Sequence, residues 1–173
     1  MTALRRILIL GGARSGKSAY GESLMPARGP KVYVATGEPG DEEMAARIAA
    51  HRARRGHGWT TVEAPLDLAA AIRAHCAADA HVMVDCVTLW LSNVLLAERD
   101  VAACVDELID AVSGAAGTLI LVSNEVGSGI VPDNPLARRF RDAAGWANQR
   151  LAAVADEVVF MAAGLPLVLK QPR

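Results

Sequence analysis

The sequence predicts a three-layer α/β fold in which helices cover both faces of a mostly parallel central sheet. Short strands alternate with helical segments, and each predicted strand is apolar on both faces, as expected for strands buried on both sides. The composition agrees, because 52% of the residues are hydrophobic and only 4% are aromatic. With 173 residues and no repeat or linker, the chain is predicted to form one domain over residues 1–173.

Charge and cysteine content argue against several classes of partner. Eighteen basic and nineteen acidic residues give a formal net charge of -1, which offers no general attraction for nucleic acid or an anionic membrane. The three cysteines form no C-x-x-C pair, so neither a disulfide framework nor a zinc site is indicated. The longest apolar stretch, residues 82–97, is interrupted by Asp85 and is too short to span a bilayer. We therefore expect a soluble, cytoplasmic protein.

The first strand, residues 7–10, leads into a glycine-rich loop with the sequence GGARSGKS. The phosphate-binding pattern G-x-x-x-x-G-K-[ST] is complete, at Gly11, Gly16, Lys17 and Ser18. Backbone N–H groups of such a loop form an anion cradle, Lys17 can reach the outer phosphates, and Ser18 can complete a Mg²⁺ shell. A glycine-rich turn without a ligand would leave the Lys-Ser pair unexplained. The motif therefore predicts a P-loop NTPase (RecA-like) fold.

Helix, strand and helix follow the loop. Residues 19–25 continue a helix that starts at the loop, and Pro26 and Gly29 end it. Residues 31–35 form an apolar strand, and glycine and proline make residues 36–40 a turn. Asp41 is a suitable N-cap for a helix over residues 41–55, with acidic side chains in its first turn, where the helix dipole favours negative charge.

The second half of the chain continues the alternation. Apolar runs predict strands over residues 59–63, 81–85, 118–123, 158–161 and 167–169. Amphipathic spacing predicts helices over residues 66–76, 87–96, 101–112 and 136–155. Glycine and proline make residues 124–135 a loop. Trp90 and Trp146 lie on predicted helices, where we expect contact with the core or another subunit rather than with a ligand.

Ligands of parallel α/β sheets bind at the carboxyl ends of the strands. Four loops should therefore converge on one site, those after Leu10, Ala35, Asp85 and Ser123. They carry the polar residues Lys17 and Ser18, Thr36 with Gly37, Asp85, and Asn124 with Glu125. The last loop, residues 123–132, is long and polar, which favours ligand binding over a simple connection.

Two acidic residues end predicted strands at this edge. Asp85 follows an apolar run, and a carboxylate in this place is the usual partner of Mg²⁺ in P-loop enzymes. We therefore assign Mg²⁺ to Ser18 and Asp85, although Asp85 could also cap the helix that begins at Val87. Glu63 could accept hydrogen bonds from a ribose or a guanine N–H edge, or it could be a surface acid of an edge strand.

The helix over residues 41–55 carries a cationic face with one histidine. Arg47, His51 and Arg54 share this face because they are four and three residues apart. Near a triphosphate, such a face could balance phosphate charge, or the neutral imidazole could attack a phosphorus atom. On these residues alone, a solvated charged helix face is the better explanation.

Several stretches together resemble one enzyme family. They are GGARSGKS, VATGEPGDEEMAARIAAHRARR, VEAP, VDCVTLWLSN, SNEVGSGIVPDNPLARRFRDAAGWANQRLA and ADEVVFMAAGLPLVLK. They are similar to the bifunctional adenosylcobinamide kinase / adenosylcobinamide-phosphate guanylyltransferase of cobalamin biosynthesis, from Ile7 to Lys170. The segment SNEVGSGIVP and the segment around His51 are specific to this family, whereas the P-loop is not.

The resemblance implies two reactions in one cytoplasmic enzyme. A nucleoside triphosphate, ATP or GTP, phosphorylates adenosylcobinamide, and the product then takes GMP from GTP to give adenosylcobinamide-GDP and pyrophosphate. In the family the second reaction passes through a covalent histidine–GMP intermediate, and His51 matches that histidine. Independently of the resemblance, phosphoryl transfer requires the phosphate cradle, Lys17 and Mg²⁺, so Lys17 is assigned a catalytic role. The resemblance alone implies that the enzyme is a homotrimer with sites between subunits.

The resemblance also implies a set of nucleotide-contact positions. They are Gly11, Gly12, Ala13, Arg14, Ser15, Gly16, Lys17, Ser18, Ala35, Thr36, Gly37, Arg52, Ala53, Arg54, Arg55, Glu63 and Asp85. This chain has RGHGW at residues 55–59, where family members often have Arg-Pro before the tryptophan, so the end of this helix should be more mobile. Alanines at positions 49 and 50 leave His51 as the only histidine of the helix, which removes an ambiguity about the nucleophile.

Three other functions are compatible with a P-loop. A GTPase switch would require an N-K-x-D motif, which the sequence lacks. A RecA-like ATPase module predicts filament or DNA contacts, which the nearly neutral charge does not encourage. A small-molecule kinase without the guanylyl step is the closest alternative, and it would leave no guanylate on the protein.

Overall fold

The computed structural model describes residues 5–37, 49, 53 and 58–172. Its central sheet has the strand order β3-β2-β4-β5-β1-β6-β7. The strands are β1 (Arg5–Gly11), β2 (Lys31–Ala35), β3 (Trp59–Glu63), β4 (His81–Asp85), β5 (Thr118–Val122), β6 (Glu157–Ala162) and β7 (Leu165–Lys170). The first six strands pair in parallel and β7 is antiparallel to β6, which confirms the predicted mostly parallel sheet.

The described helices lie between these strands in sequence. They are α1 (Lys17–Ser23), α2 (Leu68–His75), α3 (Val87–Leu96), α4 (Val101–Ser113) and α5 (Pro135–Val154). Helix α1 begins within the predicted phosphate loop, at Lys17, directly after Gly16 with its φ of 95°, and it ends at Ser23 rather than at residue 25. Helix α2 begins at Leu68 rather than at residue 66, because the N-cap position falls on Asp67. The other predicted helices within the described residues are found within one residue of their expected bounds.

Two hydrophobic clusters cover the two faces of the sheet. The larger cluster joins alternate residues of the strands to α2, α3, α4 and α5, and Trp90 at its centre donates from Nε1 to the carbonyl oxygen of Leu66 at 2.8 Å. The smaller cluster lies on the face covered by α1. Gly21 permits this close packing, since a Cβ there would lie 3.1 Å from Met83 Cε and 3.2 Å from Ile9 Cδ1. The layers on both faces are those that the sequence predicts.

A tight hairpin closes the sheet after β6. Ala163 and Gly164 form its turn with φ values of 52° and 78°, which is the backbone of a two-residue hairpin turn. All residues of β7 are exposed. Among the described residues, no helix is both long enough and apolar enough to cross a membrane.

Candidate active site

The glycine-rich loop after β1 packs closely against the β6–β7 hairpin. A Cβ at Gly11 would lie 2.5 Å from the carbonyl oxygen of Met161, so only glycine fits there. The carbonyl oxygen of Ser15 accepts a hydrogen bond from the backbone N–H of Gly164 at 3.0 Å, and a Cβ at Gly16 would lie 3.3 Å from Gly164 Cα. The hairpin therefore supports the loop from one side, a contact that the sequence reasoning did not anticipate.

Lys17 is buried in the loop with only 7% of its surface exposed. Its Nζ donates to the carbonyl oxygen of Gly12 at 2.5 Å and to Ser15 Oγ at 3.4 Å. Burial lowers the pKa of Lys17, and the nearby Cys86 and Asp85 partly oppose this shift. The amine inside the loop is therefore poorly hydrated, and its electrostatic attraction for a bound anion is stronger than it would be in water.

The Ser18 hydroxyl and the Asp85 carboxylate are brought together at the carboxyl edge. Ser18 Oγ, in the first turn of α1, donates to Asp85 Oδ2 at 2.9 Å, and Asp85 is the last residue of β4. Tyr33 Oη, from β2, donates to the same oxygen at 2.8 Å. The two residues predicted to hold Mg²⁺ are therefore neighbours, and Tyr33 is a further partner that the sequence reasoning missed.

Thr36 lies at the expected edge of the sheet, beside the residue that follows Asp85. Its side chain is fully buried, and its Oγ1 donates to the carbonyl oxygen of Cys86 at 2.7 Å and accepts from the backbone N–H of Cys86 at 2.9 Å. Asn93 Nδ2 donates to the carbonyl oxygen of Thr36 at 2.8 Å. The side chain of Thr36 consequently braces the chain next to Asp85, and its assignment as a nucleotide-contact position stays a prediction.

The loop after β5 is attached to the same edge by polar side chains. Asn124 Nδ2 donates to Thr88 Oγ1 at 2.9 Å and to Cys86 Sγ at 3.2 Å. Asn148 of α5 donates from Nδ2 to the carbonyl oxygen of Asn124 at 3.1 Å and accepts from Ser123 Oγ at 2.7 Å. The four loops thus meet at one edge, as predicted.

A direct backbone contact joins this loop to the P-loop. The N–H of Glu125 donates to the carbonyl oxygen of Gly11 at 3.1 Å. The Glu125 carboxylate then turns back on its own loop, because Oε1 accepts from the N–H of Gly127 at 2.5 Å. The start of the loop is therefore held beside the phosphate cradle.

The other predicted contact residues have varied positions. Glu63 is exposed at the carboxyl end of β3, in register with Ala35 at the end of β2. Ala53 is helical and exposed. His51, Arg52, Arg54 and Arg55 lie outside the described residues, so their roles stay predictions.

The residues that sequence reasoning missed are polar side chains inside otherwise regular elements. Tyr33 is the one hydroxyl-bearing side chain of the apolar strand β2, and Asn148 is a buried amide on the core face of α5. A polar group in such surroundings usually has a partner. That signal is present in the sequence, but it does not identify the partner.

Solved structures with a similar fold include distant ATPases. A prototypical ATPase from the type III secretion system of pathogenic bacteria aligns with a TM-score of 0.52 and 12% identity, over 95% of this chain and 56% of its own. The P4 protein of bacteriophage phi6 in complex with ADP aligns with a TM-score of 0.50 and 15% identity, over 94% of this chain and 52% of its own. This chain spans about half the length of these proteins, and the likeness supports the P-loop NTPase fold.

Closer relatives are found by sequence. The bifunctional adenosylcobalamin biosynthesis protein of Pseudomonas aeruginosa is 48% identical over 168 residues, which cover 95% of this chain and 97% of the relative. The protein of the same description from Salmonella typhimurium is 41% identical over 179 residues, covering 95% and 99%. The family profile described as cobinamide kinase / cobinamide phosphate guanyltransferase matches residues 7–169. The chain therefore belongs to the cobinamide kinase / cobinamide phosphate guanyltransferase family.

Proposed function

We propose that this protein phosphorylates adenosylcobinamide with a nucleoside triphosphate and then transfers GMP from GTP to adenosylcobinamide phosphate. The products of the second reaction are adenosylcobinamide-GDP and pyrophosphate. Family membership over residues 7–169 supports the pair of reactions. The observation that carries the proposal in the structure is the phosphate cradle, with Lys17 buried inside it and the Ser18–Asp85 pair at its mouth.

The kinase step requires positioning of a triphosphate and an alcohol. The substrate hydroxyl attacks the γ-phosphorus, its proton is lost, and the bond from that phosphorus to the bridging oxygen breaks to release the nucleoside diphosphate. The loop N–H groups and Lys17 bind the phosphate oxygens during this transfer. Lys17 must then exchange its contact with the Gly12 carbonyl oxygen for phosphate oxygens.

The guanylyl step uses the same cradle in a different way. We assign His51 as the nucleophile: its ring nitrogen bonds to the α-phosphorus of GTP and pyrophosphate leaves. A phosphate oxygen of adenosylcobinamide phosphate then attacks that phosphorus, the N–P bond breaks, and the imidazole is regenerated. Because pyrophosphate corresponds to the outer two phosphates of GTP, the cradle that serves the first step can hold the leaving group of the second.

The residues at the mouth of the cradle fit a magnesium ion. Ser18 Oγ and Asp85 Oδ2 lie 2.9 Å apart, and Mg²⁺ prefers such hard oxygen ligands together with phosphate oxygens and water. Bound there, Mg²⁺ would neutralise charge on the phosphates. Ser18 can donate its proton to Asp85 and still offer a lone pair to a cation.

We assign the remaining contacts of the nucleotide to the P-loop backbone, to the strand end Ala35, Thr36 and Gly37, to Glu63, and to Arg52, Ala53, Arg54 and Arg55 of the His51 segment. We also propose that the protein is a cytoplasmic homotrimer that requires no nucleic-acid partner, and that a single domain performs both reactions. The exposure of β7 and of Trp146, whose side chain is 40% exposed beneath the Arg150 guanidinium, is compatible with subunit contacts.

Labelled GTP tests the two-step reaction. We expect protein incubated with α-labelled GTP to retain an acid-labile label, and protein incubated with γ-labelled GTP to retain none. His51→Ala should remove the retained label but keep part of the γ-phosphoryl transfer to adenosylcobinamide. His75→Ala, in α2 and away from the carboxyl edge, is the matched control and should retain the label. A His51→Ala protein that still carries guanylate would refute the assignment of the nucleophile, and absence of label from the wild-type protein would leave a kinase alone.

A further inference from the structure

We propose that Tyr33 is a positioning residue for the metal–nucleotide site, because its phenol holds the Asp85 carboxylate in the orientation that Ser18 and a divalent cation require. This inference rests on the proposed function of the P-loop. Tyr33 Oη and Ser18 Oγ donate to the same oxygen, Asp85 Oδ2, at 2.8 and 2.9 Å. The carboxylate is therefore held between a strand and a helix rather than by its own strand alone.

The position of Tyr33 makes this contact rigid. Tyr33 is the middle residue of β2 and only 6% of its surface is exposed. Its ring meets the Trp59 ring edge to face, with centroids 6.3 Å apart and an interplanar angle of 82°. Because neighbours fix the ring, the phenolic oxygen can move little, and the carboxylate that accepts from it is restrained in turn.

The apolar surroundings of the ring indicate that the hydroxyl serves the hydrogen bond to Asp85 rather than packing. Tyr33 belongs to the smaller hydrophobic cluster, with Ile9, Met83 and Ile120 among its members. A phenylalanine would suit this cluster, since burying a hydroxyl costs free energy unless it is hydrogen-bonded. The hydrogen bond to Asp85 offsets that cost, and a bond to a carboxylate is stronger than one between neutral groups.

The loss of a residue that orients a metal ligand has an effect of known size on metal affinity. Groups that orient metal ligands typically change metal affinity or activity by 10- to 100-fold when they are lost. Tyr33→Phe removes one oxygen and keeps the ring and its contact with Trp59, so the fold should be retained. We expect the dissociation constant of Mn²⁺, used as a probe for Mg²⁺, to rise about tenfold in this variant.

The experiment is a Mn²⁺ titration of the full chain, followed by electron paramagnetic resonance, in the presence of saturating non-hydrolysable GTP analogue. Tyr20→Phe is the matched control: Tyr20 is the other tyrosine of the chain, it lies on α1, and within the described part of the molecule its phenol makes no hydrogen bond to Asp85. The control should keep the Mn²⁺ affinity within about twofold of wild type. Metal-free thermal midpoints of the three proteins should agree within about 2 °C.

Activity supplies a second readout. For Tyr33→Phe, we expect the Mg²⁺ concentration at half-maximal kcat to rise, and excess Mg²⁺ to restore kcat. A merely structural role would instead lower the thermal midpoint and leave the Mn²⁺ affinity of the folded protein unchanged. The proposal fails if the Tyr33→Phe dissociation constant for Mn²⁺ stays within twofold of wild type, or if Tyr20→Phe shifts it equally. The titration contains no corrinoid, so a wrong substrate assignment would not affect its outcome.

Discussion

Lys17 places an amine in a buried position, where a charge loses much of its hydration. The residue as a whole is only 7% exposed, and burial lowers the pKa of its amine despite the nearby Cys86 and Asp85. Within the described structure, backbone and hydroxyl oxygens of the loop are its hydrogen-bond partners. In the unliganded loop the charged amine of Lys17 is therefore poorly hydrated. A bound phosphate can neutralise this charge, which makes binding of a triphosphate favourable.

We expect Lys17→Met to separate stability from binding. Methionine is similar in length and needs no hydration, so the thermal midpoint of the unliganded protein should equal or exceed that of wild type. Affinity for GTP should fall by at least about 100-fold, since a charge-assisted contact with phosphate is lost. Differential scanning calorimetry and titration with a fluorescent GTP analogue provide the two measurements. A Lys17→Met protein with a markedly lower midpoint would show that the lysine supports the loop structurally.

The roles of some site residues can be predicted from the sequence, and the roles of others cannot. The pattern from Gly11 to Ser18 predicts a phosphate site because the motif is local and its geometry follows from a few backbone conformations. The sequence predicts Asp85 as the Mg²⁺ partner of Ser18 because it is a carboxylate that follows an apolar strand downstream of the P-loop, and parallel strands end at one edge. The roles of Tyr33 and Thr36 depend on which side chain faces which across two strands, so their identities alone do not determine them.

At the scale of elements, α5 is fixed at both ends by single side chains. Asn134 accepts at Oδ1 from the N–H groups of Leu136 and Ala137 at 2.8 and 3.3 Å. At the other end, Lys170 of β7 donates from Nζ to carbonyl oxygens at 2.6 to 3.0 Å, those of Ala152, Ala153 and Ala155. The last strand thus provides the cation that the carboxyl end of a helix favours.

Lys170→Met tests this long-range cap. The variant keeps an apolar stem but leaves three carbonyl groups without their cationic donor, so we expect the thermal midpoint to fall by about 1–4 °C. Lys170→Arg retains the charge and should recover at least half of the loss. Equal midpoints for Lys170→Met and wild type would mean that water replaces the amine without cost. GTP affinity should be unchanged, and a calorimetric scan with a binding titration measures both quantities.

Adjacent residues determine where some elements begin, whereas contacts with distant segments determine how others pair. Helix α5 begins at Pro135, one residue before the predicted start at residue 136, because proline suits the first position of a helix. By contrast, the predicted final strands did not specify their pairing, and β7 is an antiparallel strand whose Gly164 contacts the P-loop. Periodicity predicts that an element exists, whereas contacts between distant segments set its function.

At the scale of the whole molecule, the two edges of the described sheet carry different groups. The carboxyl ends of the strands hold Lys17, Ser18 and Asp85, while the amino ends of β1 and β6 are joined by ion pairs. Arg6 binds Asp156 through two nitrogens, Nε at 3.1 Å and Nη2 at 3.0 Å, and Arg5 Nη2 binds Glu157 at 2.7 Å. The second edge can therefore be altered to change stability without touching the nucleotide site.

The pair between Arg6 and Asp156 should make stability depend on pH in a defined direction. Hydrogen bonds from Arg6 lower the pKa of Asp156 below its ordinary 3.8. A carboxyl group whose pKa is lower in the folded protein stabilises the fold above its unfolded pKa, and this contribution is lost as pH falls through the folded value. Near pH 7, Asp156→Asn should therefore lower the free energy of unfolding by about 1 kcal/mol, a modest value because the pair is partly exposed to solvent.

Urea unfolding of wild type and Asp156→Asn between pH 7 and pH 3 measures this difference. It should be largest at neutral pH and shrink once the solution is more acidic than about pH 3.8, because the unfolded wild-type chain then begins to bind a proton at Asp156. The contribution is lost completely when the pH falls through the lower pKa of the folded protein. Asp142→Asn is the control: Asp142 pairs with the adjacent Arg141 and its side chain is 69% exposed, so its stability difference should be small throughout. A difference for Asp156→Asn that stays constant over this range would mean that the amide loses packing or backbone contacts rather than charge. Since Asp156 lies at the amino edge of the sheet, GTP affinity of the variant at pH 7 should equal that of wild type, and a loss of affinity would show that the two edges are coupled through β1.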